Sequence, residues 1–111
     1  MINSKTEEEV YLLHERVCPA LGDPKRLLIL YALAEGPLCV NELVEVLQVS
    51  QPTVSRHLRV LRERGLVNTD RQGTAIYYSL ADKRLLRAVD LLREVLRTQM
   101  ASRAGIAHTV A

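Results

Sequence analysis

The chain contains neither tryptophan nor phenylalanine, and four tyrosines are its only aromatic residues. Any core it builds is therefore aliphatic. Long apolar runs are missing too. Nothing approaches the roughly 20 consecutive apolar residues of a membrane-spanning helix, so no membrane partner is expected. The opening Asn3-Ser4-Lys5-Thr6-Glu7-Glu8-Glu9 lacks the basic-then-apolar plan of a secretory signal. There are two cysteines, Cys18 and Cys39. Without an export signal they are expected to be free thiols in a reducing cytoplasm, not a structural bridge. No Ser/His/Asp order, phosphate loop or convergent pair of carboxylates is visible, so neither an enzyme nor an obligatory cofactor is expected. Repeats and low-complexity tracts are also absent. The 111 residues fit one domain, 1–111, of modest intrinsic stability.

What is present is unevenly charged. Residues 1–49 carry eight Asp and Glu against four Lys and Arg, whereas residues 50–111 carry five against eleven. A basic second half suits a polyanionic partner, because neutralising phosphates supplies most non-specific affinity for nucleic acid. Within that half, Ser50 is placed to cap a helix, with Pro52 in the first turn where its missing N–H goes unnoticed. Val54, Leu58 and Leu61 then form one apolar stripe, and Gln51, Thr53, Ser55, Arg56 and Arg59 show on the other faces. Such a helix is equipped for a DNA major groove, where Gln and Arg pair with base edges and Ser and Thr hold phosphates. A solvated amphipathic helix is the plainer alternative.

The flanks weigh toward DNA. Val40-Asn41-Glu42-Leu43-Val44-Glu45-Val46-Leu47 predicts a short preceding helix, joined through Val49-Ser50-Gln51 as in a helix-turn-helix. After Gly65, the runs Leu66-Val67-Asn68-Thr69-Asp70 and Ala75-Ile76-Tyr77-Tyr78-Ser79-Leu80 flank the basic turn Arg71-Gln72-Gly73-Thr74 and predict a hairpin. The expected fold is thus mainly α with a small β-hairpin (α+β): a winged helix-turn-helix with a DNA-reading core over 39–80.

Upstream, Thr6 to about Val17 reads as a first helix, with Pro19 expected to end or kink it at Cys18. Asp23-Pro24 predicts the cap and first position of a second helix that turns Leu27, Leu30, Leu33 and Ala34 inward. The last helix, from about Asp82 to Met100, is apolar at Leu85, Leu86, Val89, Leu92, Val95, Leu96 and Met100. That face is wider than a small winged helix covers, so it is expected to pack on a second copy of itself, with the first helix beside it. Helices over about 6–18 and 82–100 are the expected dimer contacts, and 101–111 is expected to fray. Folding of the last helix back onto its own domain is the alternative.

Three ordered segments carry a specific resemblance. Ala20-Leu21-Gly22-Asp23-Pro24-Lys25-Arg26-Leu27, Leu38-Cys39-Val40-Asn41-Glu42-Leu43 and Ser50-Gln51-Pro52-Thr53-Val54-Ser55-Arg56-His57-Leu58 resemble the ArsR/SmtB family of small bacterial repressors over roughly residues 15 to 82. The resemblance implies a homodimer built from the first and last helices, and two-fold symmetry then implies an imperfect palindrome as the double-stranded operator. Gln51, Thr53, Ser55 and Arg56 are the base-edge or near-base candidates. Ser50 accompanies them at the cap. His57 and Arg59 are assigned to phosphates, with simple packing the other role open to His57. Arg71 and Gln72, at the wing tip, would approach the flanking minor groove or backbone. Arg62 and Arg64 are read as ordinary solvated charges.

The thiols are the clue to an effector. Cys39 falls at a helix start with Glu42 three residues on, the two halves of a capping box. The positive end of a helix favours the thiolate that binds soft metals or reacts. In metal-sensing relatives the matching residue is a cysteine, often with another two positions later, but that position is Asn41 here. Cys18 and His14 lie four residues apart and could face one ligand together with Cys39 of the same or the partner chain. Two sulfurs and a nitrogen would suit arsenite, cadmium or lead. A redox or reactive-sulfur switch through the same thiols, or a constitutive repressor with no such ligand, are the alternatives, and a winged helix that binds protein is a further one. The family's other metal site, on the last helix, would use Asp82, but Arg84, Val95 and Thr98 occupy its remaining positions.

Overall fold

The computed structural model describes the backbone of residues 1–110 and the side chains of residues 1–103. Asn3 opens the first helix, α1 (Ser4–Arg16), its Oδ1 accepting from the Thr6 N–H at 2.8 Å. This cap starts the helix two residues before the expected Thr6. No residue of α1 is buried. The break falls at Val17, and the chain at once begins a one-turn helix, α2 (Cys18–Leu21). Pro19 therefore does not stop helical geometry at Cys18 as predicted. It sits in the first turn of α2, where a helix has no use for its N–H.

Asp23 caps α3 (Pro24–Ala32) as expected, accepting from the Lys25 N–H at 2.7 Å. The helix then tightens into a 3-10 turn over Leu33–Glu35, closed by Gly36 at φ +150°. That tightening changes the phase of the apolar stripe. Ile29, Leu30 and Leu33 are buried, Leu27 is half-buried, and Ala34, predicted to point inward, is exposed.

Next come β1 (Leu38–Cys39), α4 (Val40–Leu47) and α5 (Gln51–Glu63). Gln48 ends α4 in the left-handed region at φ +54°, which turns the chain sharply enough to start α5 three residues later. β2 (Val67–Gln72) and β3 (Ala75–Leu80) follow, and the three strands form one antiparallel sheet in the order β1-β3-β2. The expected two-stranded hairpin is thus two-thirds of a sheet, with Cys39 opposite Tyr77. Gln72 pairs with Ala75, which leaves a two-residue turn, Gly73-Thr74, with Gly73 at φ +64°. A positive φ at the first central residue matches the twist of such hairpins and favours glycine.

The core lies where these elements meet. Ile29, Leu30, Leu43, Leu58 and Leu61 are fully buried, with Val54 and Val67 beside them. Each large aliphatic side chain withdrawn from water stabilises the fold by about 1.5–3 kcal/mol. α6 (Arg84–Val110) begins behind Asp82, whose Oδ1 accepts from the Arg84 N–H at 2.9 Å. It starts two residues after the expected Asp82, and its helical backbone continues ten residues past Met100. Residue 111 of the segment expected to fray lies outside the described residues, as do the side chains from 104 onward.

Candidate nucleic-acid interface

α5 owes its position to its buried stripe. Val54, Leu58 and Leu61 are at most 1% exposed, so the opposite surface of the helix is presented outward. Gln51, Ser55, Arg56 and Arg59 all lie on that surface and are exposed. Thirteen residues make a helix of about 20 Å at 1.5 Å each, enough to run along one stretch of major groove. Ser50 occupies the N-cap with extended backbone, but its hydroxyl does not cap a backbone N–H as predicted. It donates instead to Thr53 Oγ1 at 2.9 Å. Thr53 is half-buried.

His57 is the main departure from the predicted surface. Its ring is 7% exposed and faces inward, so it cannot reach a phosphate. Packing, the other role open to it, is what the structure shows. Nδ1 lies 3.2 Å from Arg26 Nη1, and Nε2 is 3.9 Å from Asp23 Oδ1. Burial, followed by the neighbouring Arg26, Arg56 and Lys25 charges, pushes the His57 imidazole down, against an upward pull from Asp23.

At the wing, Arg71 and Gln72 are exposed as expected, but they end β2 and do not form the turn itself. Gln72 Nε2 donates to Asp70 Oδ2 at 3.2 Å. Two residues gain a place the sequence did not show. Arg62 and Tyr78 join Ser55, Arg59 and Glu63 around a concavity of about 460 Å³ between α5 and β3. Arg62 is four residues after Leu58 in sequence, but Tyr78 reaches this place only through sheet pairing, which local patterning does not reveal. Arg64 is also more than a solvated charge, since Nη1 donates to the Glu15 carbonyl at 3.0 Å and ties the end of α1 to the end of α5.

The thiols occupy two different settings. Cys39 is half-buried at the junction of β1 and α4, and its N–H donates to Glu42 Oε1 at 3.1 Å. Hydrogen bonds from the Cys39 backbone and thiol hold the Glu42 carboxyl below the usual carboxylate range. The expected capping box is therefore formed. Cys18 is exposed at the start of α2, and His14 is exposed in the last turn of α1. Among the described residues no three His, Cys, Asp or Glu side chains converge. His14, Cys18 and Cys39 thus make no closed metal cradle within one protomer. On the last helix, Arg84 clasps Asp82 at 2.7 Å and holds its carboxyl down at about 2.

Known proteins fit this geometry. Residues 23–69 match the model of the "bacterial regulatory protein, arsR family". Over 88 residues the chain is 38% identical to an uncharacterized HTH-type transcriptional regulator of Methanocaldococcus jannaschii, covering 78% of this chain and 99% of that one. The chain belongs to the ArsR family. This is a family of transcriptional regulators, not of enzymes. The arsenical resistance operon repressor of Bacillus subtilis is 38% identical over 80 residues, 71% of this chain and 76% of the repressor. The chain spans little more than half of the SmtB-type repressors it matches, 55% of a Synechocystis one and 52% of a Mycobacterium tuberculosis one. A homodimeric winged helix-turn-helix DNA-binding domain from Mycobacterium bovis, described as a possible ArsR-family regulator, superposes with a TM-score of 0.74 at 30% identity, covering 88% of this chain and 91% of that one.

Proposed function

We propose that this ArsR-family chain is a cytoplasmic, homodimeric, sequence-specific DNA-binding repressor. The observation that carries this reading is the outward edge of α5, where Gln51, Ser55, Arg56 and Arg59 are all exposed behind a fully buried stripe. Half-buried Thr53 is assigned to complete the base-reading set, with Ser50 at the helix start. Arg59, Arg62 and Tyr78 face a phosphate strand from the concavity beside the helix. Arg71 and Gln72 at the wing contact the flanking backbone or minor groove. Residues 39–80 form the reading core of a single domain, and α1 and α6 form the dimer contact.

The dimer is supported by what the single chain leaves uncovered. Val10, Tyr11 and Leu13 of α1 and Leu91, Leu92, Val95, Leu96 and Met100 of α6 are each more than half exposed. The radius of gyration is 17.5 Å, against about 13 Å for a compact domain near this size. Apolar helices that project from a small body are expected to meet a partner. Two copies then read two half-sites of an imperfect palindrome.

Release from the operator is assigned to a soft metal(loid) such as arsenite, cadmium or lead bound by Cys thiolates. The name of the Bacillus relative supports this class. Among the described residues no three donors converge within one protomer, so such a site would draw on both chains. A thiol-based redox or reactive-sulfur response is the second reading, favoured by the exposure of Cys18. Either chemistry at Cys39 acts at the junction between the wing sheet and the helix that supports α5. Fluorescence anisotropy on a duplex from the native promoter tests the whole. Operator binding is expected to exceed binding to random duplex by about 10³ or more. Arsenite, cadmium, lead or polysulfide should then weaken it in wild type but not in Cys39→Ser. A monomeric protein, or one with no salt-dependent affinity for DNA, would sink the repressor; indifference to every agent would leave a constitutive one.

A further inference from the structure

Arg26 reaches from the first turn of α3 to two other elements. Its Nε donates to the Ala20 carbonyl at 2.7 Å, its Nη2 to the Pro19 carbonyl at 3.0 Å, and its Nη1 lies 3.2 Å from His57 Nδ1. A guanidinium has donors only. His57 Nδ1 must therefore carry the lone pair, and the neutral ring keeps its proton on Nε2, facing Asp23. Among the described residues, this is the one side-chain hydrogen bond joining a residue of α5 to another helix. Arg64 ties the far end of α5 to α1 from just beyond the helix. Along α5 itself the seating is otherwise mainly apolar packing, which is non-directional and fixes burial better than rotation.

We propose that Arg26 is a positioning residue for DNA recognition, bridging the carbonyls of α2 to His57 and so fixing the rotation at which α5 presents Gln51 and Arg56. The proposal rests on the assignment of α5 as the reading helix. Protonating His57 at Nδ1 removes the acceptor and sets an imidazolium against a guanidinium. Arg26 keeps its two carbonyl partners, so the ring, and α5 with it, must move. The charged groups acting on the ring are Asp23, Lys25 and Arg26 from the start of α3 and Arg56 from its own helix. Of these only Asp23 favours the cation, and it stands 3.9 Å away. Operator recognition therefore requires neutral His57.

The sign of the pH response separates this role from simple electrostatics. An added positive charge near a polyanion strengthens binding to any duplex. A lost tie to the reading helix weakens operator binding selectively. The experiment uses the full chain, an operator duplex selected from random sequence, a scrambled duplex, and constant ionic strength. As pH falls from about 7.5 through and below the ordinary histidine range, wild-type preference for operator over scrambled duplex is expected to fall roughly threefold or more once the ring charges. Arg26→Ala should lower that preference about tenfold at pH 7.5, in line with a lost charge-assisted hydrogen bond. His57→Asn, which places an amide oxygen near Nδ1 but does not titrate, should keep the preference and flatten its pH profile. This variant and Arg26→Lys serve if Arg26→Ala does not fold, as judged by circular dichroism. A preference that rises on acidification, or that survives in folded Arg26→Ala or Arg26→Lys unchanged, overturns the positioning role. Folded wild type that binds neither duplex at any pH removes the assignment of α5 itself, and this inference with it.

Discussion

Among the described residues, ten of the eleven buried hydrophobics lie between Ala20 and Val67, whereas α1 contributes none and α6 contributes only Val89. The two regions are nonetheless comparable in apolar content, and both show helical periodicity. In the middle of the chain the stripes of α3, α4 and α5 face one another and close a core. At the ends, Leu92 and Leu96 of α6 and Val10 and Leu13 of α1 remain open. An apolar stripe therefore declares that a helix needs a partner, without saying whether the partner lies in the same chain. Substitutions in the two regions should separate the stability of the fold from its assembly.

The largest effect is expected at Leu58, which is fully buried in the middle of α5. Leu58→Ala should destabilise the protomer by about 2–5 kcal/mol, read as a shift in the urea midpoint at unchanged slope. Leu92, 67% exposed in the single chain, should behave differently. Leu92→Asp with Leu96→Asp is expected to leave the protomer folded while weakening dimerisation by roughly 30-fold or more, the range of a central interface residue. Sedimentation equilibrium reads that change, and operator affinity should fall with it. An undisturbed dimer would mean that the open face of α6 serves something else. Next in size, Arg56→Ala should cost about 1–3 kcal/mol of operator binding and relax discrimination, whereas Arg71→Ala should weaken all sequences alike and lower the salt slope by about one.

How far the sequence carried follows the same division between local and distant contacts. Asp23-Pro24, Cys39 with Glu42, the stripe of α5 and the wing strands were all legible, because each depends on residues within a few positions of one another. α2 was not, since Pro19 reads as a breaker unless the chain has already restarted a helix at Cys18. β1 is two residues long and exists only because β3 pairs with it, nearly forty positions away in sequence. Ala34 pointed inward on ideal helical phase, but the chain had tightened into a 3-10 turn. His57 looked like one more polar residue on the reading helix. Only its partner Arg26, 31 residues upstream, turns it into a buried tie. Within the site, then, the exposed edge of α5 was visible in advance and the contact that orients it was not.

His57 also gives the core a pH dependence. Because burial holds its folded pKa below the ordinary histidine value of about 6.5, the unfolded chain binds the proton more readily than the native one. Stability should therefore be complete well above pH 6.5 and decline as pH falls below it, until the native ring itself becomes charged. Thermal melts of wild type and His57→Asn across this range should diverge on the acid side only. Parallel curves would mean that the buried ring titrates as it does in the unfolded chain.

The smallest effect is expected at the start of α6. Arg84 hydrogen-bonds both oxygens of Asp82, and these bonds hold its carboxyl down at about 2. By the same linkage the pair favours the folded state above the ordinary carboxylate range and loses that contribution as pH falls toward 2. Both side chains are largely in water, however, at 49% and 77% exposure. Solvent and salt screen exposed pairs, and holding two side chains in one geometry costs entropy. Asp82→Asn is thus expected to leave the melting temperature at neutral pH within error of wild type and to move the acid-unfolding midpoint only slightly. A large loss at neutral pH would show that Asp82 does more than cap a surface helix. The start of α6 would then belong with the buried centre of the chain, not with its open ends.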